Sequence, residues 1–251
     1  MILQGQVAVV TGGSRGIGRG ICLSLAEAGA NIVVNYRRDE KAAGEVVKKI
    51  QEMGRKALAV MGDVSNFEVA KELMKKVYDA FGRIDILVNN AGIASRGNDV
   101  FNTEVTEWNR VLRTNLDGVF NCSKIVLEYM RPQKKGNIIN ISSVGASTYQ
   151  PGHSPYAVAK SGVEVLTKIL AREEGRNGIR VNAIAPGLTK SEMGDRLMKA
   201  MGEEKIRATL ETTPLGRIGY PEDIGNVAVF LASEKASFVT GKVIPVDGGV
   251  L

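Results

Sequence analysis

A chain of 251 residues is long enough to bury a sizeable core, in one large α/β domain or two small ones. Its 44% hydrophobic and 24% charged residues give the balance of a globular protein, which excludes the disordered and fibrous classes. Lys and Arg outnumber Asp and Glu by 33 to 27, but the basic pairs at 37–38, 48–49, 75–76 and 134–135 are scattered. The +6 charge therefore suits an anionic cofactor or an acidic carrier, and no nucleic-acid partner is expected.

The opening MILQGQVAVVTGG has no basic segment followed by a long apolar run, and no stretch reaches about 18 apolar residues, so neither secretion nor membrane spanning is expected. Short β-branched runs then recur, each followed by a helical pattern: QVAVVTG, NIVVNY, KALAVMGDV, IDILVNNAG, GNIINISS, IRVNAIAPG and KVIPVDGG. Seven buried strands alternating with helices predict an α/β fold with a doubly wound parallel sheet, and no linker divides residues 1–251 into two domains. Ser65 followed by Glu68 reads as a capping box opening the helix after the third strand. Two long helical stretches, TEWNRVLRTNLDGVFNCSKIVLEYM and SPYAVAKSGVEVLTKILAREEG, are candidates for packing against both the sheet and a partner subunit. Pro245 in the last run is tolerable in an edge strand, where a missing N–H breaks no ladder.

Cys22 and Cys122 lie far apart in apolar helical stretches, which predicts buried free thiols and a reducing, cytoplasmic setting. A single histidine, His153, and two isolated cysteines make a zinc site improbable, and no metal is expected.

The first strand runs into TGGSRGIG, with glycines at 12, 16 and 18, and then into a helix. Such a loop lets the backbone approach a pyrophosphate at a helix N-terminus. After the second strand, Tyr36 stands where an NAD-selective enzyme usually has a carboxylate, and Arg37 and Arg38 follow. Arginine can fork onto a 2′-phosphate, so NADP(H) is favoured over NAD(H), with Arg15 as a further cation. Tyr156 and Lys160 are four residues apart on one helical face. An ammonium beside a phenol favours the phenolate and lowers a pKa of about 10, which would suit acid–base work. Ser143, at the end of the fifth run, could donate a hydrogen bond to the same substrate oxygen.

Together TGGSRGIG, Asp63-Val64, NNAG at 89–92, Asn115 in RTNLDGVF, Ser143, YAVAK and Pro186-Gly187 resemble the short-chain dehydrogenase/reductase superfamily in order along the whole chain, and most closely its 3-oxoacyl-(acyl-carrier-protein) reductases. The resemblance implies that Tyr156 donates the proton, Ser143 polarises the carbonyl, and Lys160 binds the nicotinamide ribose and depresses the tyrosine pKa. Asn115 would hold a water linking Lys160 to solvent. Gly12, Gly16 and Gly18, with Ser14, Arg15 and Ile17, would face the pyrophosphate. Asp63 and Val64 would bracket the adenine, and Asn90, Ala91 and Gly92 would line the ribose side. Pro186, Gly187, Thr189 and Ser191 would meet the carboxamide and phosphate.

A lid over Leu188–Leu215 and a homotetramer are further implications. At the two positions where the carrier-protein reductases bind an acidic carrier, this chain has Lys134 and Asn177, with Arg176 beside the latter. The reading is an NADPH-dependent reductase of a carbonyl, a 3-oxoacyl thioester carried on acyl carrier protein or coenzyme A. Its competitors are a dehydrogenase of a sugar or other secondary alcohol, which VVNYR also resembles, and a non-catalytic dinucleotide-binding scaffold.

Overall fold

The computed structural model describes all residues from Met1 to Leu251. The seven expected runs form one parallel sheet: β1 (Val7–Val10), β2 (Asn31–Tyr36), β3 (Ala57–Met61), β4 (Ile86–Asn89), β5 (Gly136–Ile141), β6 (Ile179–Pro186) and β7 (Val243–Val246), in the order β3-β2-β1-β4-β5-β6-β7. β1 is buried on both faces, and its alternate residues feed two separate cores. Ala8 and Val10 pack with Ile21 and Leu25 of α1 (Gly16–Glu27), Val46 and Ile50 of α2 (Glu40–Glu52), and Ile224 and Leu231 of a late helix. Val7 and Val9 pack on the other face with Leu73 and Met74 of α3 (Phe67–Phe81) and with Ile125 and Met130 of a central helix. Helices on both faces therefore cover the sheet, as near-continuous apolar strands require.

β7 is the edge strand, with Pro245 opposite Ala185 of β6. Cys22 and Cys122 are free and buried, and burial pushes the Cys122 thiol up to about 12. No helix is long and apolar enough to cross a membrane.

Two local expectations need correction. Asn66, not Ser65, caps α3: its side chain accepts the N–H of Val69 at 3.2 Å. Ser65 turns back instead, giving its N–H and its hydroxyl to Asp63 at 3.1 and 2.7 Å, because the preceding carboxylate is a stronger local acceptor than the helix end offers. The first long helical stretch is also not uniform. It comprises α4 (Val105–Leu112), a π turn over Arg113–Asp117 and α5 (Gly118–Gln133). The second stretch is the unbroken α6 (Ser154–Glu174), with Pro155 in its first turn.

After β6 come α7 (Glu192–Met201), α8 (Glu203–Thr212) and α9 (Pro221–Ala232). The α1–α9 contact relies on a glycine: a Cβ on Gly20 would lie 2.4 Å from Cβ of Pro221 and 2.8 Å from its carbonyl carbon. Gly20→Ala should force the helices apart and destabilise the protein by about 1–3 kcal/mol, read as a lower urea midpoint with an unchanged slope.

Candidate functional site

The strand order reverses at β1, whose neighbours β2 and β4 carry the chain in opposite directions across the sheet, and this opens a crevice at the carboxyl ends of β1 and β4. Thr11, directly after β1, holds the crevice together. Its hydroxyl oxygen accepts the N–H groups of Asn90 and Ala91, both at 3.0 Å. Asn90 returns its amide to the carbonyls of Thr11 and Gly12 at 2.8 and 3.1 Å. Gly12 and Gly16 have φ of 61° and 52°, which favour glycine. A Cβ on Gly18 would lie 2.4 Å from both Asn90 Nδ2 and the Gly12 carbonyl oxygen. The loop is thus pressed against β4, and α1 begins at Gly16 with Arg15 as an N-cap whose side chain caps nothing. The first-turn N–H groups around Gly16, Ile17 and Gly18 consequently face the crevice without a side-chain partner, which fits a pyrophosphate. Ser14 is buried, and Arg15 is exposed beside it.

Asn35 was not singled out in the sequence. It is 2% exposed, and its Oδ1 accepts the Gly12 N–H at 3.2 Å while its amide donates to the carbonyls of Val60 and Gly62 at 3.2 and 3.0 Å. A polar residue inside the buried run NIVVNY was the available signal. The same strand ends at Tyr36, which is buried, whereas Arg38 is exposed. Arg37 does not stand free, since its Nε lies 2.9 Å from Asp63 Oδ2. Val64 is buried, and its carbonyl accepts the Asn121 amide at 3.1 Å. At the far side, Gly187 after Pro186 bonds back to Val246, the Thr189 hydroxyl donates to the Gly187 carbonyl at 3.0 Å, and Ser191 caps α7. The α7 cap reaches the glycine loop: a Cβ on Gly16 would lie 3.2 Å from Cβ of Ser191.

The four chemical residues converge beside this crevice. Lys160 is 3% exposed and donates from Nζ to the Ile141 carbonyl at 2.7 Å, with its nitrogen 5.8 Å from the centre of the Tyr156 ring. Ser143 follows β5, accepts the Gly145 N–H at 3.1 Å and interacts with the Tyr156 phenol. Ser142 is turned inward, donating to Glu164 at 2.7 Å. Asn115, fully buried in the π turn, accepts the Ile93 N–H at 3.0 Å and donates to the carbonyls of Ile93 and Val111 at 2.9 and 3.0 Å. These bonds explain the widened turn, a geometry common at functional sites. They also use both amide hydrogens, so the side chain's donors are not available to a water. Gly92 fits between the groups: a Cβ there would meet Asn115 Oδ1 at 2.6 Å and Lys160 Nζ at 3.7 Å. His153 immediately precedes α6 and makes no side-chain cap.

The electrostatics differ from the sequence expectation. Burial pushes the Tyr156 phenol above its ordinary value, and the Ser143 hydrogen bond only partly offsets this. The Tyr156 side chain is half-buried. Burial also brings Lys160 down to about 8. The lysine does not lower the phenol in the free protein, because its ammonium is directed to the Ile141 carbonyl and is itself desolvated. An ultraviolet difference titration of wild type against Tyr156→Phe should therefore show one phenol ionising above about 10, and ionisation near neutrality would contradict this assignment.

The comparisons with known proteins agree with this geometry. A family model described as "Enoyl-(Acyl carrier protein) reductase" matches residues 12–251. The chain is 44% identical over 243 residues to the 3-oxoacyl-(acyl-carrier-protein) reductase FabG of Staphylococcus aureus, covering 97% of both chains. It is 41% identical over 250 residues to the 3-oxoacyl-(acyl-carrier-protein) reductase of Synechocystis, covering 99% of this chain and 98% of the relative. Among solved structures, levodione reductase superposes with a TM-score of 0.94 at 34% identity, over 98% of this chain and 97% of that one. A glycine-lined crevice at the β1–β4 reversal, the Ser143–Tyr156–Lys160 cluster beside it and full-length similarity to these enzymes together place the chain in the short-chain dehydrogenase/reductase family, as an oxidoreductase that uses a nicotinamide dinucleotide.

Proposed function

We propose that this protein is an NADPH-dependent reductase of 3-oxoacyl thioesters, and that residues 1–251 form one domain with a substrate lid over 188–215. The observation that carries the reading is the cluster of Ser143, Tyr156 and Lys160: the lysine nitrogen lies 5.8 Å from the centre of the tyrosine ring, and a Cβ on Gly145 would meet both Ser143 Oγ and the tyrosine ring, at 3.3 and 3.4 Å. The nicotinamide, when bound, supplies hydride to the carbonyl carbon. Tyr156 keeps its proton at neutral pH and delivers it to the carbonyl oxygen as the alkoxide develops. Ser143 orients that oxygen, with its own position set by Gly145. Lys160 would hold the nicotinamide ribose and assist the phenol, and Asn115 fixes the Ile93 backbone and the wall beside Gly92. Gly12, Ser14, Arg15, Gly16, Ile17 and Gly18 hold the pyrophosphate. Asp63, Val64, Asn90 and Ala91 would line the adenosine side, and Pro186, Gly187, Thr189 and Ser191 would meet the nicotinamide half.

Arg37 and Arg38 after β2, with no carboxylate in place of Tyr36, support NADPH over NADH. The names of the Staphylococcus and Synechocystis relatives support the thioester substrate. An acidic carrier has a matching surface at the far end of α5 and α6, where Lys134 and Arg176 are exposed and outside any ion pair. The neighbouring bases Arg131 and Lys135 are neutralised by Glu174 and Glu234. Half-exposed Phe120 on α5 and Val165 and Ile169 on α6 support burial of these helices in a homotetramer, and two unpaired buried thiols support a cytoplasmic setting.

Steady-state assay with NADPH and an acetoacetyl thioester should give turnover, with NADH clearly poorer. Tyr156→Phe should lose about 10²–10⁴-fold in kcat while still binding cofactor. Turnover with NADH alone, or a fully active Tyr156→Phe variant, would overturn the reading. Because Lys160 is an ammonium only below about 8 and the phenol stays protonated beyond that, kcat/KM for reduction should be level through neutrality and fall above about pH 8. A rate that already declines between pH 6 and pH 7, on the order of one unit below neutrality, would contradict this assignment of the essential ionisation.

A further inference from the structure

The two cationic positions after β2 are not equivalent. β2 and β3 run parallel with Tyr36 opposite Met61, and the Gly62 N–H donates to the Tyr36 carbonyl at 2.8 Å, so Arg37 and Asp63 leave neighbouring strands side by side. Arg37 pairs with Asp63, Nε lying 2.9 Å from Oδ2. The other carboxylate oxygen is held from behind by the N–H and hydroxyl of Ser65 at 3.1 and 2.7 Å. Asp63 is thereby fixed, and its side chain is 32% exposed against 53% for Arg37. The terminal guanidinium nitrogens of Arg37 make no hydrogen bond to the protein, and Arg38 is exposed and in no ion pair.

A guanidinium has two forks, one containing Nε and one made of the two terminal nitrogens. An ion pair through Nε leaves the terminal nitrogens, which bond no protein group, able to grip a phosphate with two parallel hydrogen bonds. An unrestrained arginine at a half-exposed site would have to lose its rotamer freedom when it bound. We propose that Asp63 is a positioning residue for cofactor selectivity: braced by Ser65, it holds Arg37 ready for the 2′-phosphate of NADP(H). The proposal rests on the NADP(H) reading above. It gives Asp63 a task separate from contact with the adenine, since the adenine is common to both cofactors and the 2′-phosphate is not.

The test is a double-mutant cycle on dissociation constants for NADPH and NADH, measured by fluorescence titration of the full-length protein. Asp63→Asn should weaken NADPH by about two- to tenfold more than it weakens NADH, the excess being the cost of ordering one long side chain and any loss common to both cofactors reporting the adenine contact. In an Arg37→Met background, Asp63→Asn should produce no further NADPH-specific loss, because its effect passes through Arg37. Ser65→Ala, which leaves the carboxylate in place but unbraced, should shift NADPH in the same direction by less. Equal weakening of both cofactors, an NADPH-specific loss that persists without Arg37, or tighter NADPH binding in Asp63→Asn would each overturn the proposal. A wild-type protein that binds NADPH no better than NADH would instead overturn the cofactor reading on which it rests, so the two failures are distinguishable.

Discussion

The architecture of the site depends on how closely the end of β1 approaches the end of β4. Thr11 and Asn90 exchange hydrogen bonds across that gap, and Gly18 is near enough to both Asn90 and Gly12 that no side chain fits. A parallel sheet that reverses its strand order must part its connections at this point, and the parting is what leaves room for a ligand. The bonds from Thr11 and Asn90 keep that parting from becoming a slack loop. They aim the first turn of α1 at the crevice and set the position of Ala91 and Gly92, against which Asn115 and Lys160 are placed.

From there the chemical residues are located by three different constraints. α6 fixes Tyr156 and Lys160 relative to each other, and the Lys160 bond to the Ile141 carbonyl ties that helix to the end of β5. Ser143 is then delivered by β5 itself, while the π turn carries Asn115 to the Ile93 backbone. Burial is the dominant electrostatic influence throughout. It raises the phenol and lowers the lysine to about 8, so the free protein holds a protonated phenol beside an amine near its own titration point. That pairing suits carbonyl reduction near neutral pH.

Much of this was legible in the sequence. All seven strands, the edge position of Pro245 and the glycine loop follow from β-branched runs and turn chemistry, which are local signals, whereas the Ser143, Tyr156 and Lys160 set was carried by the family resemblance. What was not legible depends on contacts between distant segments. Asn35 gave no motif, although it binds the glycine loop to the end of β3. Ser65 satisfied a capping pattern but found a nearer carboxylate in Asp63, leaving Asn66 to cap α3. The π turn was hidden because a continuous apolar pattern runs through it, and only the Asn115 side chain, reaching to Ile93, explains the widening. The direction of the tyrosine shift was also hidden. Spacing places Lys160 near Tyr156 but cannot say that its ammonium points to Ile141, or how much water is lost around both groups.

The central claim is that the Tyr156 cluster completes hydride transfer from a nicotinamide held in the β1–β4 crevice. The most direct measurement is turnover of a 3-oxoacyl thioester with NADPH carrying deuterium on both hydrogens at nicotinamide C4, followed by mass analysis of the product. The account predicts one deuterium on the new carbinol carbon, with the hydroxyl proton drawn from solvent, and loss of labelled product in Tyr156→Phe. Product without the label, or undiminished labelled product from the phenylalanine variant, would contradict it.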